Sequence, residues 1–454
     1  MNRTFLFIII SLFFSTHFLF SQSANLTKPS AQQLRWHEMQ YYMFIHFGVN
    51  SFTNLEWGEG AENPKIFNPQ NLDCRQWARI AKKAGMKAII LTVKHHDGFC
   101  LWPSAYTEHD VTNSSWKNGK GDVLKELSEA CKEYGIKLGF YISPWDRNNP
   151  IYGKDDQAYN TYFNNQLKEI LTQYGPIFEV WFDGANGDRE NPEKYQAYNW
   201  TLFNETIRSL QPDALVFGAG YADIRWVGNE RGVASETNWC TFDSKQRNPS
   251  EDAPIPLLQA GIKNGDLWWP AETDVSIRPG WFYHPEEDTK VKSVDQLEKI
   301  YFESVGRNTN LLLNIPIDRE GLVNAADSIA LMQLRARLDA TFIDNKLEKL
   351  SKGTPDNNAF VVELKGKKTF DVISLKENIS QGQTIDGWKV EAWMNKQWVL
   401  LGEATTVGYQ RWLILPKTTS PKIRISFKNP LPSRQLLDVN LYLRASPNPL
   451  LDKK

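Results

Sequence analysis

The segment Phe178–Asn186 reads FEVWFDGAN, an apolar strand that stops on Asp183 and is followed at once by glycine and small residues. In a β/α barrel the carboxyl ends of the strands open into the active-site mouth, so an acid in this position indicates catalysis rather than stability. An aspartate that caps the next turn is the other interpretation of Asp-Gly alone. The pattern on either side of the segment therefore decides which interpretation applies.

Around this segment, strand patterns alternate with amphipathic helix patterns, which is typical of a parallel sheet. The predicted strands lie at 42–49, 87–93, 137–142, 178–182, 214–217 and 310–315. The predicted helices lie at 73–83, 122–134, 158–174, 192–210, 294–306 and 325–344. Residues 220–285 are rich in Trp, Gly and Pro and carry only short strand candidates, at 232–236 and 267–272. About six βα units are recognisable, and we expect a (β/α)8-like TIM barrel.

The pattern changes after residue 344 to short strands separated by turns. These strands are predicted at 360–364, 370–375, 388–393, 398–404, 409–415, 422–427 and 437–444. Such even spacing is typical of an antiparallel sandwich. We therefore expect a catalytic barrel over 24–345 and a C-terminal antiparallel β-sandwich over 346–454, joined in the polar stretch 346–358. The scattered tryptophans of the second domain are expected in its core.

The N-terminus has the layout of a secretory signal: a charged start with Arg3, an apolar run over 5–20, and small and polar residues over 21–24. A membrane anchor is the competing interpretation, but Ser15, Thr16 and His17 break a run that is already short for a membrane span. We predict a signal peptide over 1–23, a secreted or periplasmic protein, and no stable membrane insertion after its removal.

Composition excludes some classes of partner and favours one. The chain has 454 residues, and its 52 basic and 53 acidic side chains give a net charge of −1, which offers no attraction for nucleic acid or an anionic membrane. The four cysteines lack the CxxC-type spacing of zinc or redox motifs. The 17 Trp, 16 Tyr and 24 Phe exceed what a core needs, and flat rings that pack on C–H faces favour carbohydrate as the ligand.

Histidines collect where two of the predicted strands end. His46 follows the first strand, and His95 and His96 follow the second. A metal site is the competing interpretation of such a cluster. Neighbours on a regular strand point to opposite faces, however, so adjacent histidines do not both ligate one ion from a strand. Imidazoles also supply the donors and acceptors that sugar hydroxyls need, and Glu56 and Trp57 add a carboxylate and a stacking face. We expect sugar binding without a metal or cofactor.

Five motifs together resemble the α-L-fucosidases of glycoside hydrolase family 29 over about residues 30–345. They are HFG at 46–48, EWG at 56–58, KHHDGF at 94–99, WFDG at 181–184 and RWVGNE at 225–230. The resemblance implies a retaining exo-hydrolase whose nucleophile is Asp183. The sugar-binding residues that it implies are His46, Glu56, Trp57, His95 and His96, with Tyr141, Arg278 and Trp281 as further contacts.

Retention requires a second carboxyl group about 5–5.5 Å from the nucleophile, alternating between general acid and general base. Glu230 in RWVGNE matches the family's α1,3/1,4 subgroup, and Glu236 is the alternative. The subgroup implies fucosylated oligosaccharides or glycoconjugates of Lewis type as substrates. Two other functions remain open at this point: an inactive secreted carbohydrate-binding protein, and a metal-dependent hydrolase that uses the histidine cluster.

Overall fold

The computed structural model describes residues 26–187, 195–218, 220–247, 253–349, 358–431 and 435–445. The predicted signal peptide, 1–23, lies outside the described residues, as does the start of the helix predicted at 192–210. No helix within these ranges is long and apolar enough to cross a membrane.

Eight parallel strands of the described chain form one sheet in the order β5-β4-β3-β2-β1-β10-β9-β6. These strands are β1 (Tyr41–Ile45), β2 (Ala88–Lys94), β3 (Lys137–Ile142), β4 (Ile177–Phe182), β5 (Leu215–Phe217), β6 (Arg225–Trp226), β9 (Ala271–Ser276) and β10 (Asn310–Asn314). A parallel bridge between Phe217 and Ile224 joins the two edges, where the amide of Ile224 donates to the carbonyl of Val216 at 3.1 Å. The sheet therefore closes into the predicted barrel. Outside it, β7 (Thr241–Phe242) and β8 (Leu267–Trp268) form a small antiparallel pair.

Helices follow most of the strands. In the described ranges they are α1 (Ala31–His37), α2 (Val49–Thr53), α3 (Cys74–Lys83), α4 (Val123–Tyr134), α5 (Asp156–Gln173), α6 (Trp200–Leu210), α7 (Ile255–Ala260), α8 (Val294–Ser304) and α9 (Ala325–Asp339). Asp122 begins α4 by accepting the Lys125 amide at 2.9 Å, and Gly135 ends it with φ of 65°. This cap and this left-handed glycine are the start and stop signals that the sequence displays.

Alternate residues of each barrel strand face opposite sides, which separates two apolar layers. In β1, Tyr42 and Phe44 belong to the cluster inside the barrel, whereas Tyr41, Met43 and Ile45 belong to the cluster between the strands and the helices. Side chains therefore fill the lower barrel. Polar residues at the carboxyl ends of the strands are left to line its mouth.

Two barrel strands differ from the prediction. The candidate at 232–236 is a loop, in which Gly232 donates to the carbonyl of Asp274 at 3.2 Å. The barrel is completed instead by β6, which has two residues, and by β9, which reads AETDVS. A two-residue strand has no detectable period, and β9 faces polar side chains into the barrel, so neither shows the apolar pattern that identifies the other strands.

The C-terminal region is antiparallel, as predicted. Its six described strands follow the order β11-β16-β12-β15-β13-β14. They are β11 (Lys346–Lys349), β12 (Ala359–Glu377), β13 (Trp388–Met394), β14 (Gln397–Ala404), β15 (Arg411–Phe427) and β16 (Leu436–Tyr442). The strands predicted at 360–364 and 370–375 both belong to β12, and those at 409–415 and 422–427 to β15. Register shifts let these long strands bend instead of ending, so the strands hydrogen-bond as one continuous sheet.

Trp412 of β15 packs the C-terminal sheet against the barrel. Its ring lies 5.4 Å from that of Tyr301 and 5.3 Å from that of Phe302, both on α8, and 4.4 Å from that of Phe342. Trp388 by contrast lies in the core of the sheet itself. The expected core role therefore holds for Trp388 and Trp412, whereas Trp393 and Trp398 are only partly buried and belong to no core cluster.

Candidate active site

A cavity of about 850 Å³ opens at the carboxyl ends of the barrel strands. Most of the residues singled out in the sequence line it, together with others that were not. The lining includes His46, Trp57, His95, His96, Tyr141, Trp181, Asp183, Phe217, Trp226, Glu230, Asp274 and Trp281. Two carboxyl groups of different character, Asp183 and Glu230, thus share one aromatic chamber.

Asp183 follows β4 directly, and both of its carboxylate oxygens are held. The amide of Ala185 donates to Oδ1 at 2.7 Å, and the hydroxyl of Tyr141 donates to Oδ2 at 2.8 Å. Burial, followed by the charge of Asp183, raises the pKa of Tyr141, so the phenol keeps its proton and remains a donor. The carboxylate is oriented by these bonds, while its side chain keeps 26% of its surface exposed to the cavity.

The tautomer of His46 follows from its neighbours. The amide nitrogen of Asn314 donates to Ser276 Oγ at 2.9 Å and to the Trp281 carbonyl at 2.8 Å, so its Oδ1 faces His46 Nδ1, 2.8 Å away, as an acceptor. Nδ1 of His46 therefore carries the hydrogen. Burial lowers the pKa of His46 to about 3, so the ring is neutral and Nε2 is an acceptor.

His96 is fixed in the same way. Ser143 Oγ donates to the carbonyl of Trp145 at 2.7 Å, so it accepts from His96 Nδ1, which is also 2.7 Å away. Nε2 of His96 lies 3.8 Å from Asp183 Oδ2. Burial lowers the pKa of His96 and, more strongly, that of His95. The imidazoles are therefore neutral groups suited to pairing with hydroxyls.

Adjacent histidines share one cavity because the strand ends just before them. β2 stops at Lys94, which turns away to a buried ion pair with Asp146 at 3.1 Å. The chain then leaves strand geometry, and the rings of His95 and His96 lie 4.1 Å apart, both on the cavity wall. His95 also stacks on Tyr141 at 5.7 Å and 17°. The alternation rule used in the sequence analysis applies to the strand and not to this turn.

Glu230 lies in the segment after β6, exposed at the cavity wall. The indole nitrogen of Trp281 donates to its Oε2 at 3.4 Å. Burial raises the pKa of Glu230, and the negative charges of Asp183 and Glu56 raise it further. The hydrogen bond from Trp281 lowers the pKa of Glu230, but the net direction is upward. A carboxyl group with a raised pKa in the same cavity as an oriented aspartate suits general acid catalysis.

Glu236, the alternative acid/base, lies elsewhere. Its side chain is 63% exposed and forms ion pairs with Arg307, at 2.6 Å, and with Arg411 of the C-terminal sheet. Partial burial would raise the pKa of Glu236, but Arg411 and Arg307 hold it below its ordinary value. Because Glu236 does not line the cavity and is electrostatically fixed as an anion, the geometry favours Glu230.

Comparison with known proteins agrees with this geometry. A family model described as α-L-fucosidase matches residues 32–340. The chain belongs to the α-L-fucosidase family. Among curated relatives, α-L-fucosidase 1 of Arabidopsis thaliana is 41% identical over 420 residues, which cover 86% of this chain and 82% of that protein. This member of the family is accordingly a glycoside hydrolase, and the family match covers the barrel.

Solved structures of fucosidases extend the similarity through both domains. A glycoside hydrolase 29 family member from a rumen bacterium aligns with a TM-score of 0.86 at 42% identity, covering 93% of this chain and 78% of that one. The family 29 fucosidase of Ruminococcus gnavus, solved in complex with fucose, aligns at 0.82 with 31% identity, covering 93% and 96%. The barrel with its C-terminal antiparallel sheet is thus shared with these two family 29 structures.

Two residues expected to contact the sugar do not line the fucosidase cavity. Arg278 is fully buried, and its Nε donates to Asp327 at 2.9 Å while Nη1 donates to Asp288 at 2.7 Å. Glu56 binds the segment after β9 instead of facing the chamber. Arg278 has no exposed surface to offer a sugar, so the structure does not support the expectation for it. The Glu56 side chain keeps 36% of its surface exposed, and its role in sugar binding stays a prediction.

The sequence analysis missed a polar row on β9. Glu272 Oε1 accepts from the indole nitrogen of Trp181 at 3.1 Å, and Asp274 Oδ1 accepts from that of Trp226 at 2.8 Å. Both tryptophans line the cavity. The sequence signal for this row was the alternation of polar residues along AETDVS. If that segment is a strand, every second side chain points into the barrel.

Proposed function

We propose that this protein is a retaining exo-α-L-fucosidase that releases terminal fucose from fucosylated oligosaccharides or glycoconjugates. Asp183 acts as the nucleophile and Glu230 as the general acid/base. The observation that carries this proposal is the contrast between Asp183 and Glu230, two of the three carboxyl groups that line the cavity; the third, Asp274, accepts from the indole of Trp226. Asp183 accepts two hydrogen bonds, whereas burial and nearby negative charges raise the pKa of Glu230.

In the first step a carboxylate oxygen of Asp183 attacks the anomeric carbon. The bond to the leaving-group oxygen breaks as Glu230 gives that oxygen its proton, and a fucosyl ester of Asp183 remains. In the second step Glu230, now a carboxylate, takes a proton from water, and the hydroxide attacks the anomeric carbon. The ester breaks, which returns Asp183 as an anion and leaves Glu230 protonated.

Binding is assigned to the neutral imidazoles and the aromatic wall. Nε2 of His46 and of His96 are acceptors for sugar hydroxyls, while Trp57, with 58% of its surface exposed at the mouth, offers a ring face to the sugar. These contacts need no metal or cofactor. The binding-protein and metal-hydrolase alternatives are less favoured, since neither requires two carboxyl groups of contrasting character in the chamber.

The finer specificity that we propose is for α1,3- or α1,4-linked fucose of Lewis type. It rests on the similarity of RWVGNE and of the segment at 274–284 to that subgroup. Trp226 and Trp281, one from each segment, line the cavity. We also propose that the protein is secreted or periplasmic, on the layout of residues 1–23, and that it does not engage nucleic acid.

The roles of the acids are tested by replacing each. Asp183→Ala should lower turnover of an aryl α-L-fucoside by at least about 10³-fold, because the covalent step is lost. Asp213→Asn, which removes an exposed charge paired with Arg35, is the matched control and should remain active. Azide should partly restore the rate of Glu230→Ala and not that of Glu236→Ala. Near-normal turnover by Asp183→Ala would show that Asp183 is not the nucleophile.

The substrate assignment is tested with Lewis-type trisaccharides, 2′-fucosyllactose and an aryl fucoside, each with and without EDTA. We expect release from the Lewis glycans, little from 2′-fucosyllactose and no effect of EDTA. Release from 2′-fucosyllactose at the same rate as from the Lewis glycans would reject the linkage preference and leave the fucosidase assignment standing. Loss of activity in EDTA would favour the metal-dependent alternative, and no release by folded protein would favour the binding protein.

A further inference from the structure

The loop at 183–186 begins with Asp183 and ends with Asn186, whose side chain binds the backbone of Gln196. Asn186 Oδ1 accepts the amide of Gln196 at 3.0 Å, and its Nδ2 donates to the carbonyl of the same residue at 2.9 Å. A backbone amide only donates and a carbonyl only accepts, so these bonds fix which atom of the Asn186 side chain is the oxygen. The loop is thereby tied to a residue ten positions further along the chain.

Two tyrosines complete the contacts of this loop. Tyr152, in the segment after β3, has its hydroxyl 2.8 Å from Asn186 Oδ1, and Tyr152 is the donor because that oxygen carries no hydrogen. Tyr198, which precedes α6, has its hydroxyl 2.6 Å from that of Tyr152 and 3.2 Å from the carbonyl of Ala185. The single hydrogen of Tyr198 serves one of these two acceptors. Burial raises the pKa of both phenols, so both keep their hydrogens.

Gln196 connects these contacts to α5. The residue is only 1% exposed; its Nε2 donates to Asp156 Oδ1 at 2.8 Å, and its Oε1 accepts the amide of Gly153 at 3.1 Å. Asp156 is the first residue of α5, the helix that follows β3, and Gly153 is next to Tyr152. The loop after β4 is therefore fastened to the preceding βα unit of the barrel.

The loop matters because the amide of Ala185 orients the carboxylate of Asp183. This amide donates to Asp183 Oδ1 at 2.7 Å. The carbonyl of Ala185 faces Tyr198, and the residue that follows Ala185 is Asn186. A displacement of about 1 Å in a reacting group can cost about 10²-fold in rate, so a small movement of this loop is expected to slow the attack.

We propose that the side chains of Asn186, Tyr152 and Tyr198 position the nucleophile by holding the loop at 183–186, and that they take no part in the bond changes. This inference rests on the proposed role of Asp183. Neither tyrosine is among the described residues that line the cavity, so both act from behind it. Asn186 does line the cavity, and the experiment separates its hold on the loop from a contact with the sugar.

The expected defect differs from the loss of an acid/base and from the loss of a sugar contact. A displaced nucleophile slows attack on every substrate, whether or not the leaving group needs the proton of Glu230. Binding of fucose should be retained, because the imidazoles of His46 and His96, which we assign to sugar hydroxyls, follow β1 and β2 and not β4.

The test measures Tyr152→Phe, Tyr198→Phe and Asn186→Ala on a nitrophenyl and on an alkyl α-L-fucoside. We expect kcat/KM to fall about 10-fold or more on both substrates, by factors that agree within about 3-fold, while the inhibition constant of L-fucose changes by less than about 3-fold. The double variant Tyr152→Phe/Asn186→Ala should lose no more than Asn186→Ala, since the hydroxyl acts through the amide. Tyr134→Phe, at a partly buried tyrosine of α4 that packs behind the strands, is the control and should remain active.

Full activity of both Tyr152→Phe and Asn186→Ala would overturn the proposal. A loss confined to the alkyl fucoside would assign these residues to Glu230, and an equal loss of L-fucose binding would assign Asn186 to the sugar; either result rejects the positioning role. If Asn186→Ala fails to fold, Tyr152→Phe and Tyr198→Phe decide the matter, because both keep their rings.

Asp183→Ala is measured beside these variants to separate the two levels of the argument. Near-normal turnover by Asp183→Ala would reject the proposed nucleophile and this inference with it. An inactive Asp183→Ala together with a fully active Tyr152→Phe would reject only the positioning role.

Discussion

Asp183 receives its orientation from one amide and one phenol. The phenol belongs to Tyr141, which is stacked between His95 on one side and Trp181 on the other, at ring distances of 5.7 and 5.3 Å. Its hydroxyl therefore has little freedom to leave Oδ2 of Asp183. Tyr141 and the amide of Ala185 together set which carboxylate lone pairs remain free towards the cavity.

Removing only this hydroxyl isolates its effect. Tyr141→Phe should lower kcat/KM for an aryl α-L-fucoside about 10- to 100-fold, because a hydrogen bond to a charged group contributes about 1.5–3 kcal/mol. The thermal midpoint should change little, since the ring and its stacking remain. Tyr106→Phe at an exposed tyrosine is the control, and a fully active Tyr141→Phe would show that the backbone amide alone orients Asp183.

At the scale of elements, β9 organises the chamber. Its inward row, Glu272, Asp274 and Ser276, accepts from Trp181, Trp226 and Asn314 respectively. The lowest member also meets a second buried acid: Glu272 and Glu179 of β4 both lie within hydrogen-bond reach of the hydroxyl of Tyr42, whose single hydrogen serves one of them. A polar strand inside a barrel core is thus stabilised because each inward side chain has a partner from another strand.

The buried pair makes stability depend on pH. Burial raises the pKa of both Glu179 and Glu272 above the ordinary value of a glutamate. At a pH below the ordinary glutamate pKa, both glutamates are protonated in the folded and in the unfolded protein, so ionisation costs the folded state nothing. As the pH rises from there through the raised pKa values of the folded state, the folded protein must ionise these groups in its core, and its stability falls. Stability should therefore decline between about pH 5 and pH 8.

Glu272→Gln tests this decline, because the amide oxygen can still accept from Trp181 while the ionisable group is gone. The loss of stability from pH 5 to pH 8 should be smaller in the variant than in the parent by about 1 kcal/mol or more, measured by denaturant unfolding at each pH. Glu129→Gln on the exposed face of α4 is the control. Parallel pH curves for the parent and Glu272→Gln would contradict a raised pKa.

At the scale of the whole molecule, the C-terminal sheet braces the barrel, and none of its described residues lines the cavity. Trp412 packs on aromatic residues of α8, and Arg411 beside it pairs with Glu236. Asn308 also donates its side-chain amide to Asn238 and accepts the amide of Tyr409 at 2.7 Å. These contacts indicate a structural role for Glu236 and a supporting role for the sheet.

Trp412→Ala should therefore destabilise the protein while leaving the chemistry intact. Truncating a buried tryptophan costs about 3–5 kcal/mol, so the thermal midpoint should fall by several degrees, with kcat/KM of the folded fraction unchanged within about 3-fold. Trp398→Ala is the matched control: this half-buried ring contacts Trp393 and Arg424 on the sheet and should cost far less. A larger loss of stability in Trp398→Ala than in Trp412→Ala would show that Trp412 does not make the main stabilising contact.

The sequence predicted the elements that carry a clear period. The strands β1 to β5 and β10 and most of the helices lie within a few residues of their predicted bounds, because apolar runs and caps are local signals. The strands β6 and β9 were not recognised as barrel strands, the first being two residues long and the second polar on its inward face. Closure through Phe217 and Ile224 has no local signal, since it depends on the barrel's curvature.

The sequence by itself determined that Asp183 and the histidines stand at strand ends, because strand period and termination are local properties of the chain. Only the tertiary structure separated the surroundings of the two candidate acids. Glu230 and Glu236 are six residues apart, yet one faces the cavity beside Trp281 and the other is paired with Arg411. A carboxyl group's role depends on the charges, burial and donors brought to it by distant segments, and those are fixed only when the barrel closes and the C-terminal sheet packs against it.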